Sequence, residues 1–295
     1  MKNTVFTGVA TAIVTPLNEK GIDYEAFERL IEWQIDQGIN AIVVAGTTGE
    51  GSTLTDKEHK DIIKFAVEKI AGRVPVIAGT GSNDTAYAID LTKYACEVGA
   101  DAMLVVTPYY NKATQKGLIQ SFTAIADAST KPIILYNVPS RTGCNIEPET
   151  CAQLAKHPNI VGIKEASGNI SQIAKIASLV KGEMDIYSGN DDQIVPIMSL
   201  GGKGVISVLS NILPKETVEI CDSYFEGKIK ESAELQLGYI ELIDALFCEV
   251  NPIPVKAAVA EMGYGENYLR LPLTAMDEAK KQNMFRIMRE CGISI

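Results

Sequence analysis

Short apolar runs rich in Val, Ile and Ala alternate with amphipathic stretches of helical period along most of the chain, repeating about every 20 to 35 residues. The strand candidates are Val9–Thr15, Ala41–Ala45, Val74–Ala78, Ala102–Thr107, Pro132–Tyr136, Ile160–Lys164, Asp185–Ser188 and Gly204–Val208. Apolar runs of this length bounded by turn residues read as strands buried on both faces, as in a parallel sheet. Eight such units predict an α/β protein built as a closed (β/α)8 or TIM barrel. A doubly wound open sheet is the alternative, but no G-x-G-x-x-G follows the first strand.

Helix starts follow most of these strands: Asp23, a Thr55-x-x-Glu58 capping box, Pro148 in a first turn and Pro214 after the eighth strand. Beyond about Phe225 only helical pattern remains. It runs over Lys228–Glu249, breaks at Asn251-Pro252-Ile253-Pro254, resumes over Val255–Met262, and ends with Ala275–Cys291 behind Thr274 as N-cap. The expected organisation is a barrel domain over 1–225 and a C-terminal helical appendage over 226–295, the appendage serving helix-helix contact in an oligomer.

Composition narrows the class without changing the fold. With 295 residues, 46% apolar and 22% charged, the chain is an ordinary globular protein. Its apolar runs are strand-sized, so no membrane is implied, and the N-terminus lacks a signal-peptide pattern. The cytoplasm is the expected compartment. A net charge of −10 argues against nucleic acid, and an anionic substrate would need local positive charge. Six cysteines without C-x-x-C spacing read as reduced thiols. With only two histidines, His59 and His157, no metal site is expected, and proton transfer falls to Lys, Tyr, Asp or Glu.

One charged residue interrupts the strand pattern. Lys164 ends the run Ile160–Lys164, before Glu165-Ala166-Ser167-Gly168. Burial disfavours an ammonium and can bring a lysine from about 10.4 to roughly 7 or 8, where its free amine attacks carbonyls and forms Schiff bases. The plainer alternative is a lysine that snorkels to water and pairs with Glu165.

In a βα barrel the working residues project from the C-terminal ends of strands. The second loop, Gly46-Thr47-Thr48-Gly49-Glu50, offers hydroxyls and backbone N–H groups fit to cradle a carboxylate, or merely a tight turn. The fourth carries Tyr109-Tyr110 and the fifth Tyr136-Asn137-Val138-Pro139-Ser140-Arg141. Arg141 is a fixed cation able to grip a carboxylate bidentately. Together these residues converge on carbonyl addition to a carboxylate-bearing substrate. Asp191-Asp192 reads as a helix cap in preference to a magnesium site, and Gly201-Gly202-Lys203-Gly204, which precedes the eighth strand, as a turn.

The motifs G-T-T-G-E at 46–50, Y-N-V-P-S-R-T-G at 136–143 and G-I-K-E-A-S-G at 162–168 resemble the dihydrodipicolinate synthases, a branch of the pyruvate-dependent lyases and aldolases, over the whole chain. The resemblance implies condensation of pyruvate with L-aspartate 4-semialdehyde, the first committed step toward diaminopimelate and lysine, without a cofactor. By matched position Lys164 would form the imine and Tyr136 would shuttle protons, with Thr47 linking Tyr136 to Tyr110. Thr48 and the backbone near Ile206 would hold the pyruvate carboxylate, and Arg141 that of the semialdehyde. Tyr110 would come from a neighbouring subunit, making a dimer the catalytic unit, commonly paired into a tetramer. A sibling aldolase acting on a sugar acid is the nearest rival, and Arg141 with the doubled threonine disfavours it. A barrel kept as a small-molecule sensor is a further rival, disfavoured because every residue the chemistry requires is present. In lysine-inhibited members a cleft near the site binds lysine. Here Ser52, His59, Asn83 and Tyr109 fit that cleft, but Gly51, Asp56 and Tyr87 replace Ser, His and Glu.

Overall fold

Within each apolar run the side chains divide by period two between two separate apolar environments, the arrangement required when a sheet closes on itself. The computed structural model describes residues 2–295. Its barrel strands are β1 (Gly8–Ala12), β2 (Ala41–Val44), β3 (Val76–Gly79), β4 (Ala102–Val106), β5 (Ile133–Asn137), β6 (Ile160–Glu165), β7 (Asp185–Ser188) and β8 (Gly204–Ser207). All pair in parallel in chain order, and β1 closes the barrel between β2 and β8. Ala10, Ala12, Val43, Ile77, Leu104, Ile134 and Ile206 pack together in the barrel interior. Their strand neighbours Val9, Ile42, Val44, Val105, Leu135 and Ile163 belong to the larger core shared with the helices.

The helices are α1 (Tyr24–Asp36), α2 (Asp56–Ile70), α3 (Thr85–Glu97), α4 (Gln115–Asp127), α5 (Pro139–Thr142), α6 (Pro148–Leu154), α7 (Ile170–Val180), α8 (Ile194–Ser199), α9 (Pro214–Phe225), α10 (Ile229–Gly238), α11 (Ile240–Leu246), α12 (Ile253–Glu261) and α13 (Glu278–Glu290). Asp23 caps α1, and the Thr55/Glu58 capping box opens α2. Most strand ends shift by one or two residues from those read off the pattern, and four boundaries differ for an identifiable reason. The strand expected over Val9–Thr15 stops at Ala12, because the Asn211 amide takes over the hydrogen bonding there, donating to Ala12 O (2.9 Å) and accepting from Val14 N (3.0 Å). The helix expected over Lys228–Glu249 is broken at Gly238-Tyr239 into α10 and α11. The next begins at Ile253, since Pro254 lies in its first turn where no N–H is needed. The last is capped by Asp277, whose side chain accepts from Lys280 N, and Thr274 lies outside it. Among the described residues no helix is long and apolar enough to cross a membrane.

The N-terminal end of the barrel is plugged. The Tyr187 ring stacks on Phe6 with centroids 4.3 Å apart, and its hydroxyl donates to Phe6 O at 2.8 Å. The Gly201–Gly204 turn lies at this end: Gly8 N donates to Lys203 O, and a Cβ on Gly204 (φ +137°) would fall 1.8 Å from Gly8 O. That approach requires glycine at 204; Ile197, 2.8 Å from a Cβ at 202, requires it there, and a positive φ of +92° favours it at 201, all without a phosphate.

At the opposite end the C-terminal helices grip the loop after β2. Glu50, held at φ +54°, is buried and forms an ion pair with the equally buried Lys256 of α12. The Lys256 ammonium also donates to Tyr268 O at 2.7 Å. A left-handed non-glycine residue is strained by of order 1–3 kcal/mol, and such a conformation persists only where its surroundings over-determine it. Arg270 adds a second tie, bonding both Glu58 carboxylate oxygens (2.7 and 2.6 Å) and Thr53 O (3.1 Å).

The Arg270 guanidinium beside Glu58, followed by the Thr55 N–H and hydroxyl, holds the Glu58 carboxyl at about 2 instead of 4.5. A depressed carboxyl contributes stability that is complete above its unfolded pKa and disappears as pH falls through the folded one. The stability difference between wild type and Glu58→Gln should therefore be largest near neutrality and close between about pH 4.5 and pH 2. Melting temperatures of both proteins across that range check this, and a gap that stays constant would show that Glu58 is not held by charge.

Candidate active site

Adjacent residues on a strand face opposite sides, and this decides what surrounds Lys164. Tyr136 pairs with Lys164 across β5 and β6, and Asn137 with Glu165 one position on. The first pair points into the barrel and the second toward the helices. Glu165 accepts from Asn137 Nδ2 (2.7 Å) and the Ser167 hydroxyl (2.6 Å), so it is no partner for Lys164. Burial pushes the Glu165 carboxyl up, and its hydrogen bonds to Ser167 and Asn137 pull it back.

Lys164 is 5% exposed and forms no salt bridge among the described residues. Its Nζ lies 4.4 Å from the Tyr136 ring centroid, close enough for attraction between an ammonium and the π face. The start of the loop after β7 presses on the same stem, for a Cβ on Gly189 would lie 3.0 Å from Lys164 Cε. Glycine is required at 189 first by Ala166, whose Cβ would lie 2.7 Å away, and by Glu165 O at 3.0 Å, and the lysine stem gains room as well.

A cavity of about 350 Å³ opens at the C-terminal ends of the strands, with Thr47, Tyr109, Tyr136 and Arg141 among its lining residues. Arg141 stands exposed in the last turn of α5, where Pro139 starts the helix and fixes its position. No hydrogen bond joins the Thr47 and Tyr136 hydroxyls among the described residues. Thr48 and Ile206 are buried, 2% and 0% exposed, and do not line the cavity; Ile206 lies on the inner face opposite Ala10. Lys164 is likewise not among the lining residues and meets the cavity through Tyr136, on which its amine packs; Tyr110, also absent from the lining, is 92% exposed at φ +72°.

The Asp191-Asp192 pair has a different task from the one its sequence suggested. Residues 191–193 form a single 3-10 turn with no side-chain cap of its own. Asp191 instead reaches across to the loop after β8, accepting from Val208 N (3.0 Å) and Leu209 N (2.9 Å). Burial pushes this carboxyl up, while Ser207, those two N–H groups and the charge of Lys164 pull it down.

Three features of this end were not legible as site residues: the Lys256–Glu50 ion pair, the role of Asp191, and Asn251, whose side chain donates to Thr48 Oγ1 at 3.0 Å. Asn251 stood in the sequence only as the start of a helix break. A charged residue within the apolar run of α12 was the available signal for Lys256.

Comparison with known proteins agrees with this geometry. Residues 5–291 match the model of the dihydrodipicolinate synthetase family. The 4-hydroxy-tetrahydrodipicolinate synthase of Alkaliphilus oremlandii is 54% identical over 289 residues, covering 98% of this chain and 100% of its own. The chloride-inhibited dihydrodipicolinate synthase of Acinetobacter baumannii, solved as a complex with pyruvate, superposes with a TM-score of 0.96 at 45% identity, covering 99% of this chain and 100% of its own. The enzyme of Cyanidioschyzon merolae, solved with lysine bound, gives 0.95 at 40% identity over 99% of this chain and 100% of its own. With residues 5–291 matched, barrel and helical tail alike, the chain belongs to the dihydrodipicolinate synthetase family.

Proposed function

We propose that this chain condenses pyruvate with L-aspartate 4-semialdehyde to give 4-hydroxy-tetrahydrodipicolinate. The observation that carries the reading is a buried lysine without a carboxylate partner, packed on a tyrosine at the catalytic end of a barrel whose mouth holds an arginine. Lys164 Nζ attacks the pyruvate ketone, and Tyr136 passes protons to the oxygen as water leaves. The protonated imine withdraws electrons, the methyl group loses a proton, and the resulting enamine carbon bonds to the semialdehyde's aldehyde carbon. Attack of the semialdehyde's own amine on the imine carbon then frees Lys164 and closes the ring. No step draws on a cofactor, because the lysine is itself the electron sink.

Thr48 and the Ile206 backbone hold the pyruvate carboxylate in this scheme, and Arg141 at the mouth receives that of the semialdehyde. Thr47 relays protons between Tyr136 and Tyr110. Tyr110, 92% exposed and not among the lining residues of its own cavity, serves a neighbouring copy in this scheme, with a dimer as the catalytic unit and a tetramer as its pair. The six free cysteines are in keeping with a reducing compartment, the cytoplasm. The barrel over 1–225 is the catalytic unit of this reading, and the helices over 226–295 support it.

Regulation by lysine is a separate matter. Ser52, His59, Tyr87 and Tyr109 line the cavity wall, in keeping with a cleft at this place, while Asn83 is not among the lining residues. The cleft's acid is not retained. Asp56 is already committed to Lys60, at 3.1 Å, and burial together with Asp56 pushes the Tyr87 hydroxyl up, keeping it neutral. An ammonium drawn from water needs a partner, and a buried charge left unpaired costs several kcal/mol.

Borohydride added with pyruvate should fix one reduced pyruvate on Lys164, read by peptide mass spectrometry; an unmodified Lys164 would remove the imine mechanism. Arg141→Ala should still trap pyruvate yet lose roughly tenfold to more than a hundredfold in turnover with the semialdehyde, the worth of a charged hydrogen bond. Unchanged steady-state rates would take Arg141 out of substrate binding. Millimolar lysine should barely slow the initial rate, whereas strong inhibition well below a millimolar would mean that the cleft finds its anion elsewhere.

A further inference from the structure

Between the helical tail and the carboxylate cradle lies one contact that the proposed reaction leaves unused. Asn251, 5% exposed, projects from the segment joining α11 to α12 and donates its Nδ2 to the hydroxyl oxygen of Thr48 at 3.0 Å, across 203 residues of chain. Both groups are buried. The amide's other end, Oδ1, is buried with no hydrogen-bond partner among the described residues. A buried amide left half satisfied destabilises the fold, so packing alone does not account for it.

The consequence lies in the hydroxyl. A threonine hydroxyl has one proton to give and lone pairs to receive. With an amide N–H bound to its oxygen, Thr48 is biased to act as donor, and its proton has no acceptor among the described residues. A donor held this way suits an anion, while an oxygen free to rotate would spend part of its time presenting a lone pair to that anion. The loop that carries Thr48 also contains two strained residues, Ala45 at φ +55° and Glu50 at φ +54°. Lys256 fixes Glu50, and Asn251 fixes Thr48, so two residues of the tail hold one loop from the same side.

We propose that Asn251 is a positioning residue for the pyruvate carboxylate, acting through Thr48 by keeping its hydroxyl oriented as a donor. This rests on the reading of Thr48 as part of the pyruvate cradle. It assigns to the helical tail a part in substrate affinity as well as in stability.

The test is a cycle of Asn251→Ala, Thr48→Ala and the double variant, each followed by borohydride trapping over a range of pyruvate concentrations and by steady-state kinetics. Asn251→Ala should raise the pyruvate concentration for half-maximal trapping roughly tenfold and leave the KM for the semialdehyde within about twofold. In the Thr48→Ala background the same change should have almost no further effect, since residues acting through one group are not additive. Asn251→Asp, nearly the same in shape, should be worse than alanine because it replaces a donor with an anion beside the substrate carboxylate. A purely structural role predicts the reverse order and a parallel loss of melting temperature. Equal losses in both Thr48 backgrounds, or Asn251→Asp binding pyruvate like wild type, would overturn the proposal while leaving the imine reading intact. Failure of the wild type to trap pyruvate at all would overturn both.

Discussion

The alternation of side chains along β6 is the constraint on which the rest of the site depends. It separates Lys164 from Glu165, so that the acid next in sequence is turned outward to Asn137 and Ser167 while the amine faces the barrel interior. A shift of one residue in register would exchange them and leave a buried carboxylate where the amine is required. The register is secured on both sides of the strand, by Tyr136 opposite Lys164 on β5 and Tyr187 opposite it on β7. What looks in sequence like a Lys-Glu pair is in space two unrelated groups.

The barrel was legible because its signal is local. Period-two apolar runs, a capping box and first-turn prolines each act within a few residues, and all eight strands fell close to where those patterns put them. One error arose where a distant group replaced the local one, Asn211 ending β1; the other was a choice between neighbouring caps, Asp277 serving α13 in place of Thr274. Lys164, Tyr136 and Arg141 could be singled out because their types are unusual at strand ends. Asn251 could not, since an asparagine before a proline has an ordinary explanation as punctuation and its partner Thr48 is remote in the chain. The purpose of Asp191 was hidden for the same reason, since the donors to its carboxylate are two backbone N–H groups on another strand's loop.

The tail is more than packing against the barrel. Through Asn251, Lys256 and Arg270 it contributes polar contacts to the loop of residues 46–53 and the start of α2. The buried Lys256–Glu50 pair is a costly arrangement when judged by desolvation alone, for burial pushes the Lys256 ammonium down and only Glu50 opposes it. Such pairs are sensitive to the loss of either partner. The left-handed Glu50 is thus tied to a side chain some two hundred positions away, and Thr48 beside it to another, so the observed form of the cradle includes the tail.

The plugged end of the barrel has a consequence for traffic. Among the described residues Phe6, stacked on Tyr187, fills this end, and the cavity lined by Thr47, Tyr136 and Arg141 opens at the opposite rim. In the proposed reaction the water expelled as the imine forms, the incoming aldehyde and the departing ring must all use that rim. In that reaction a semialdehyde seated at the mouth, where Arg141 stands, lies over the imine beneath it and shields it from water.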